Sequence, residues 1–144
     1  MATLSSIAEQ VRKCTRCPLW KHRLQPLPGQ GKKNATSVFI LESPDEIADR
    51  KGDLWESKEA KQLLSILKEK KIQKKDVFLT TLVKCSSQGS LVDTREIEEC
   101  HSYLQAQLNV MDTKKVFLIS KRKNVPEHSL VKRVSQMNEL KKEL

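Results

Sequence analysis

Ser37-Val-Phe-Ile-Leu41 runs apolar from Val38 onward, with no polar face left over, as a strand reads when a sheet is covered on both sides. Val77-Phe-Leu-Thr-Thr-Leu-Val83 and Lys115-Val-Phe-Leu-Ile119 repeat the pattern. Between the first two runs, residues 57–71 start at Ser57, a good helix cap, and place Ala60, Leu63, Leu64 and Leu67 at helical spacing. After the second run, an acidic first turn beyond Thr94 opens a helix to about residue 110, although a capping box counted from Thr94 fails at Ile97. Strands separated by helices need crossover connections. The expected fold is therefore an α/β three-layer sandwich: a small, mainly parallel sheet of three to four strands, the fourth near Val125, flanked by helices. Ligands of such sheets bind beyond the carboxyl ends of the strands.

Working outward, residues 3–13 carry Leu4, Ile7, Ala8 and Val11 on one helical face and lead into Cys14-Thr-Arg-Cys17-Pro-Leu. Pro26, Pro28, Gly29 and Gly31 make the next stretch a loop, and Leu130, Val134, Met137 and Leu140 predict a closing helix over 129–144. A chain of 144 residues without internal repeat is expected to form a single domain, 1–144. Lys and Arg outnumber Asp and Glu 27 to 18, a net charge of +9. That excess points to a polyanionic partner, nucleic acid first among them, or else to lysine-rich solubilising surface such as the run from Lys68 to Lys75. No run approaches the roughly 20 apolar residues of a membrane span, and the first 20 residues lack a secretory core. The expectation is a cytoplasmic or nucleoid-associated protein with no membrane partner.

In a reducing compartment four cysteines are ligands or inert core residues before they are disulfides. Cys14 and Cys17 form a C-x-x-C pair, Cys85 follows the second strand and Cys100 lies in the next helix. Zinc ribbons usually take two close-spaced pairs, and here only the first is close. An iron–sulfur cluster accepts scattered thiolates, because the corners of a cube need no common turn. Zinc and an unliganded core remain the alternatives.

In its cysteine frame and the motifs around it, the chain resembles the iron–sulfur (family four) uracil-DNA glycosylases. The likeness begins at Cys14-x-x-Cys17-Pro18-Leu19, passes Arg23 and reaches Pro28-Gly29-Gln30-Gly31, where the family has a Gly-x-Gly loop. Leu41-Glu42-Ser43-Pro44-Asp45 matches its Gly-Glu-Ala-Pro-Gly, Gly52-Asp-Leu-Trp55 its Gly-x-Pro-Phe, and Thr81-Leu-Val-Lys84-Cys85 its Asn-Val-Val-Lys-Cys. Glu96-Ile97, Cys100-His-Ser-Tyr-Leu104 and Gln107-Leu108 complete it.

The resemblance implies a four-iron, four-sulfur cluster on Cys14, Cys17, Cys85 and Cys100. It also implies an enzyme that flips a base out of DNA into a fitted pocket. Glu42 would handle water at the sugar carbon, or be an ordinary loop glutamate. Trp55 would stack on the base, or be a core residue. His128, in Pro126-Glu127-His128-Ser129, would stand for the family's His-Pro-Ser, or be a lone surface histidine. Lys13, Arg16, Lys21 and Arg23 around the cysteine loop, with Lys32 and Lys33 after the glycines, would meet nucleic acid.

Two positions depart from the pattern. Thr81 replaces the asparagine that pairs with the base edge, and one hydroxyl cannot supply both donor and acceptor as an amide does. Asp45 replaces a glycine where backbone and phosphate approach. Only nine residues separate Ile119 from His128, too few for the family's intervening helix and strand. Two functions follow: an active glycosylase for uracil or another damaged base, or a nucleic-acid-binding relative with weak or lost excision, serving as a docking subunit of a larger assembly.

Overall fold

In the computed structural model, residues 3–16, 18–21, 23–89, 91–121 and 131–144 are described. Among them β1 (Ser37–Leu41), β2 (Val77–Thr81), β3 (Lys115–Ile119) and β4 (Val131–Val134) form one sheet. The order is β2-β1-β3-β4 and every pairing is parallel. Successive side chains alternate between the faces, so each apolar strand feeds two cores. Val38 and Ile40 meet Ile7 and Val11 of α1 (Leu4–Arg12) and Ile97 and Leu104 of α4 (Thr94–Val110). Phe39 and Leu41 meet Leu63 and Leu67 of α3 (Lys58–Glu69) and Leu140 of α5 (Met137–Glu143). Phe39 stacks on its register partner Phe117 with ring centroids 5.5 Å apart. Each such fully buried side chain contributes about 1.5–3 kcal/mol.

The helix caps follow from local side chains. Ser57 caps α3 by accepting from the Ala60 amide. α4 is capped one residue earlier than the sequence reading from Thr94: Asp93 is the cap and Glu96 closes a complete capping box. Gly31, at φ 139°, lets the loop before β1 lie against β2; a Cβ there would stand 2.7 Å from the Val77 carbonyl. Gln30 next to it pairs with Leu79 in both directions, covering part of the β2 edge.

The end of the chain differs from the expectation of one long helix. Val131–Val134 is a strand, and only Met137–Glu143 is helical. Val131 packs on one core and Val134 on the other. An odd separation puts two residues on opposite faces of a strand, so the sheet's two covered sides overrode the helical spacing. β2 ends at Thr81, two residues short of the apolar run. Val125, the expected fourth strand, lies outside the described residues.

Candidate active site and cysteine pocket

β2 and β3 lie on opposite sides of β1, so the strand order reverses direction between β1 and β3. Crevices form at that switch point. Glu42 directly follows β1 and Ser120 directly follows β3, and the Ser120 hydroxyl donates to Glu42 Oε1 at 2.7 Å. Ser120 is itself held, its amide on the Val134 carbonyl and its carbonyl on Arg133 Nη1 at 3.0 Å. Glu42 opens into a crevice of about 510 Å³ that it shares with Glu59, Gln62, Leu91, Lys121, Ser135 and Gln136. Desolvation against the crevice wall raises the Glu59 carboxyl pKa, with the charges of Glu42 and Asp45 adding to the rise. The side chain remains solvent-accessible, so water screens much of this. The crevice thus holds a hydrogen-bonded carboxylate beside a more readily protonated one.

Other residues expected to serve the same site stand elsewhere. Asp45 caps α2 (Glu46–Lys51): one oxygen accepts from the Ala48 amide at 2.8 Å and the other from the Lys58 amide at 2.9 Å. Its charge faces two helix starts, where a carboxylate is stabilised. Trp55 is 6% exposed, belongs to the core beneath α3 and carries Lys74 Nζ at 5.0 Å over its ring. Thr81 is 0% exposed and its Oγ1 has no hydrogen-bond partner among the described residues. Neither Trp55 nor Thr81 lines the crevice. His128 lies outside the described residues.

Cys14, Cys85 and Cys100 line one pocket together with Arg16, Trp20, Arg23 and Tyr103. Cys17 lies outside the described residues. Nitrogen donors face the sulfurs: Arg23 Nη1 reaches Cys85 Sγ at 3.0 Å and the Cys14 carbonyl at 2.8 Å, and the Lys84 amide reaches Cys100 Sγ at 3.3 Å. The Arg16 amide approaches Cys14 Sγ at 3.5 Å. Tyr103 is pushed up to about 12, by burial first and then by its hydrogen bond to Cys14. Lys84, 1% exposed, is pushed down to about 8 by burial, against the opposing pull of negative charge at Cys100. Its ammonium is held by Thr80 Oγ1 at 2.9 Å and by the Thr81 carbonyl. Among the described residues no three His, Cys, Asp or Glu side chains stand close enough to share one metal ion. Three cysteines line this one pocket and N–H donors surround their sulfurs, a donor set whose chemistry suits thiolate ligation.

The cations divide into two sets. Arg16 and Arg23 rim the cysteine pocket, with Lys13 and Lys21 exposed beside them in sequence. Lys32 and Lys33 precede β1 at the opposite, amino end of the sheet, where the Lys33 carbonyl accepts from Asp112 after α4. The parallel topology thus places the two after the glycine loop at the other end of the sheet from the four around the cysteine loop.

The sequence model of the uracil DNA glycosylase superfamily matches residues 28–131. The chain belongs to this superfamily. Relatives called type-4 uracil-DNA glycosylases include proteins of Saccharolobus solfataricus, 37% identical over 110 residues, and Sulfurisphaera tokodaii, 32% identical over 113. A third, from Thermotoga maritima, is 31% identical over 107 residues. The matches take in 75%, 77% and 74% of this chain but 51%, 51% and 56% of those proteins, so the chain spans about half the length of the relatives it matches. The all-parallel sheet with flanking helices is consistent with this glycosylase-like fold.

Within the superfamily frame, three residues have structural roles that the sequence alone does not assign. Ser120 orients Glu42, yet a lone serine after a strand carries no signal. Gln107 is a polar residue at 2% exposure on the apolar face of α4, accepting from Thr80 Oγ1 at 2.9 Å and donating to the Pro28 carbonyl. A glutamine in that stripe was the available clue. Asp49 is 0% exposed and accepts from the Leu24 and Gln25 amides and from Gln88 Nε2. It ties three segments around the two sites.

Proposed function

We propose that this chain is a uracil-DNA glycosylase-like protein that binds DNA, carries an iron–sulfur cluster on Cys14, Cys17, Cys85 and Cys100, and has weak or lost base excision. The observation that carries the loss is Thr81. Its hydroxyl is enclosed at the end of β2 and does not line the crevice, and no amide stands in its place to pair with a base edge. One missing donor typically costs about 10²- to 10³-fold in rate. Trp55, engaged in the core, leaves base stacking weaker as well. The cluster, when bound, supplies a rigid tie between the N-terminal loop, the end of β2 and α4. Around it Arg23, the Lys84 amide and the Arg16 amide stabilise the thiolates.

The second reading, an active glycosylase, is favoured by Glu42, which keeps a hydrogen-bonded position in an open crevice at the sheet's switch point. There Ser120 would hold the carboxylate ready to orient water. Uracil-containing single- and double-stranded DNA, incubated with the purified protein and treated to cleave abasic sites, separates the two. Traces of cleavage that vanish in Glu42→Gln support the proposal, and many turnovers per minute would refute it in favour of the active enzyme. The cysteine assignment implies about four irons per chain.

A further inference from the structure

Trp20 is 42% exposed, on the one-turn 3-10 helix Pro18–Lys21, and its indole forms part of the wall of the cysteine pocket. Arg16 and Arg23 line the same pocket, Lys21 is the next residue, and Glu99 is the carboxylate on that rim. Among the described residues, none of these three cations forms an ion pair. Arg16 is fixed in place, its guanidinium 4.7 Å from the Tyr103 ring centroid and bonded to Ser102 Oγ at 2.6 Å. Asp49 grips the backbone at Leu24 and Gln25, so the segment is anchored on both sides of its tip. The Val83 amide binds the Glu42 carbonyl at 3.1 Å. The cysteine pocket therefore adjoins the crevice at the carboxyl end of the sheet.

An exposed aromatic face beside cations that no carboxylate neutralises is the arrangement that holds single-stranded nucleic acid: the cations meet the phosphates and the ring takes a base. We infer that Trp20, with Arg16 and Arg23, is a stacking platform for an unpaired base of a DNA strand, separate from the crevice that contains Glu42. This rests on the nucleic-acid reading above and adds to it a preference for unpaired strand. Bases in a duplex are already stacked and do not offer their faces to the indole.

The test uses the whole chain with its bound metal. An oligonucleotide carrying 5-iodouracil is irradiated with the protein, and the adduct is mapped by mass spectrometry. In parallel, the anisotropy of a labelled single strand gives the affinity at several salt concentrations. The adduct is expected on Trp20. Trp20→Ala should weaken binding about 5- to 150-fold, the loss of one base–aromatic stack, without changing the salt slope, because the ring releases no counterions. Arg16→Gln should lower the slope by about one. Trp20→Phe keeps a stacking face and should bind within a few-fold of the wild type, which guards against misreading a disturbed pocket. An adduct elsewhere, or equal binding by Trp20→Ala, overturns the platform and leaves the nucleic-acid reading standing. No binding to any strand overturns both.

Discussion

Replacing Asp49 with alanine should loosen the protein more than any surface change, and the size can be worked from its bonds. The carboxylate is fully buried and accepts from the Leu24 amide at 3.0 and 3.1 Å, from the Gln25 amide at 3.2 Å and from Gln88 Nε2 at 2.6 Å. Hydrogen bonds to a charged acceptor contribute about 1.5–3 kcal/mol each. Three donors thus set an upper bound of about 9 kcal/mol by that figure. Water entering the gap will satisfy some donors, so the net loss should fall near 3–5 kcal/mol, toward the low end of about 1–3 kcal/mol for each of the donors left unpaired. That is a large share of the about 5–15 kcal/mol that holds a domain together. Asp49→Asn keeps one acceptor oxygen and should lose about half as much. Urea unfolding followed by circular dichroism reads the difference, and limited trypsin digestion should show faster cutting after Lys21 and Arg23 as their loop is freed. A loss under about 1 kcal/mol for Asp49→Ala would mean that these bonds contribute little net stability, against the usual scale for charged acceptors.

Asp93→Ala removes the cap and half of the capping box of α4, and chemical denaturation should register a loss of about 1 kcal/mol. Glu59→Gln tests the crevice electrostatics. The folded carboxyl titrates above the reference value of 4.5, so its ionisation opposes folding as pH rises through the folded pKa, and no such penalty exists below the unfolded one. The variant should therefore melt slightly higher than the wild type at pH 7 and equally at pH 4, by under about 0.5 kcal/mol because the group is solvent-screened. A melting point lowered at pH 7 would reverse the sign. Arg23→Gln removes the donor to Cys85 Sγ and the Cys14 carbonyl. Metal should then leave faster when a chelator is added, read as loss of visible absorbance, and an unchanged rate would show that the guanidinium does not support the sulfurs.

The layered parallel sheet was legible because apolar runs buried on both faces leave a continuous signal; Ser57 read correctly as a cap, and α4 read from its acidic first turn while its cap, Asp93, did not. β4 was not legible, since Leu130, Val134, Met137 and Leu140 fit a helical stripe until a neighbouring strand is there to pair with Val131–Val134. At the sites, residues with sequence spacing or a motif were visible: Glu42 after its strand, and the cysteines. Ser120, Asp49 and Gln107 were not, because each acts through a partner more than twenty residues away, which no local pattern encodes.

The proposed iron–sulfur cluster on Cys14, Cys17, Cys85 and Cys100 can be checked by metal analysis and the visible spectrum of protein purified without oxygen. The expected protein is brown, with a broad visible absorbance shoulder and about four irons per chain, both lost in Cys85→Ser. A colourless preparation holding zinc and no iron would contradict it.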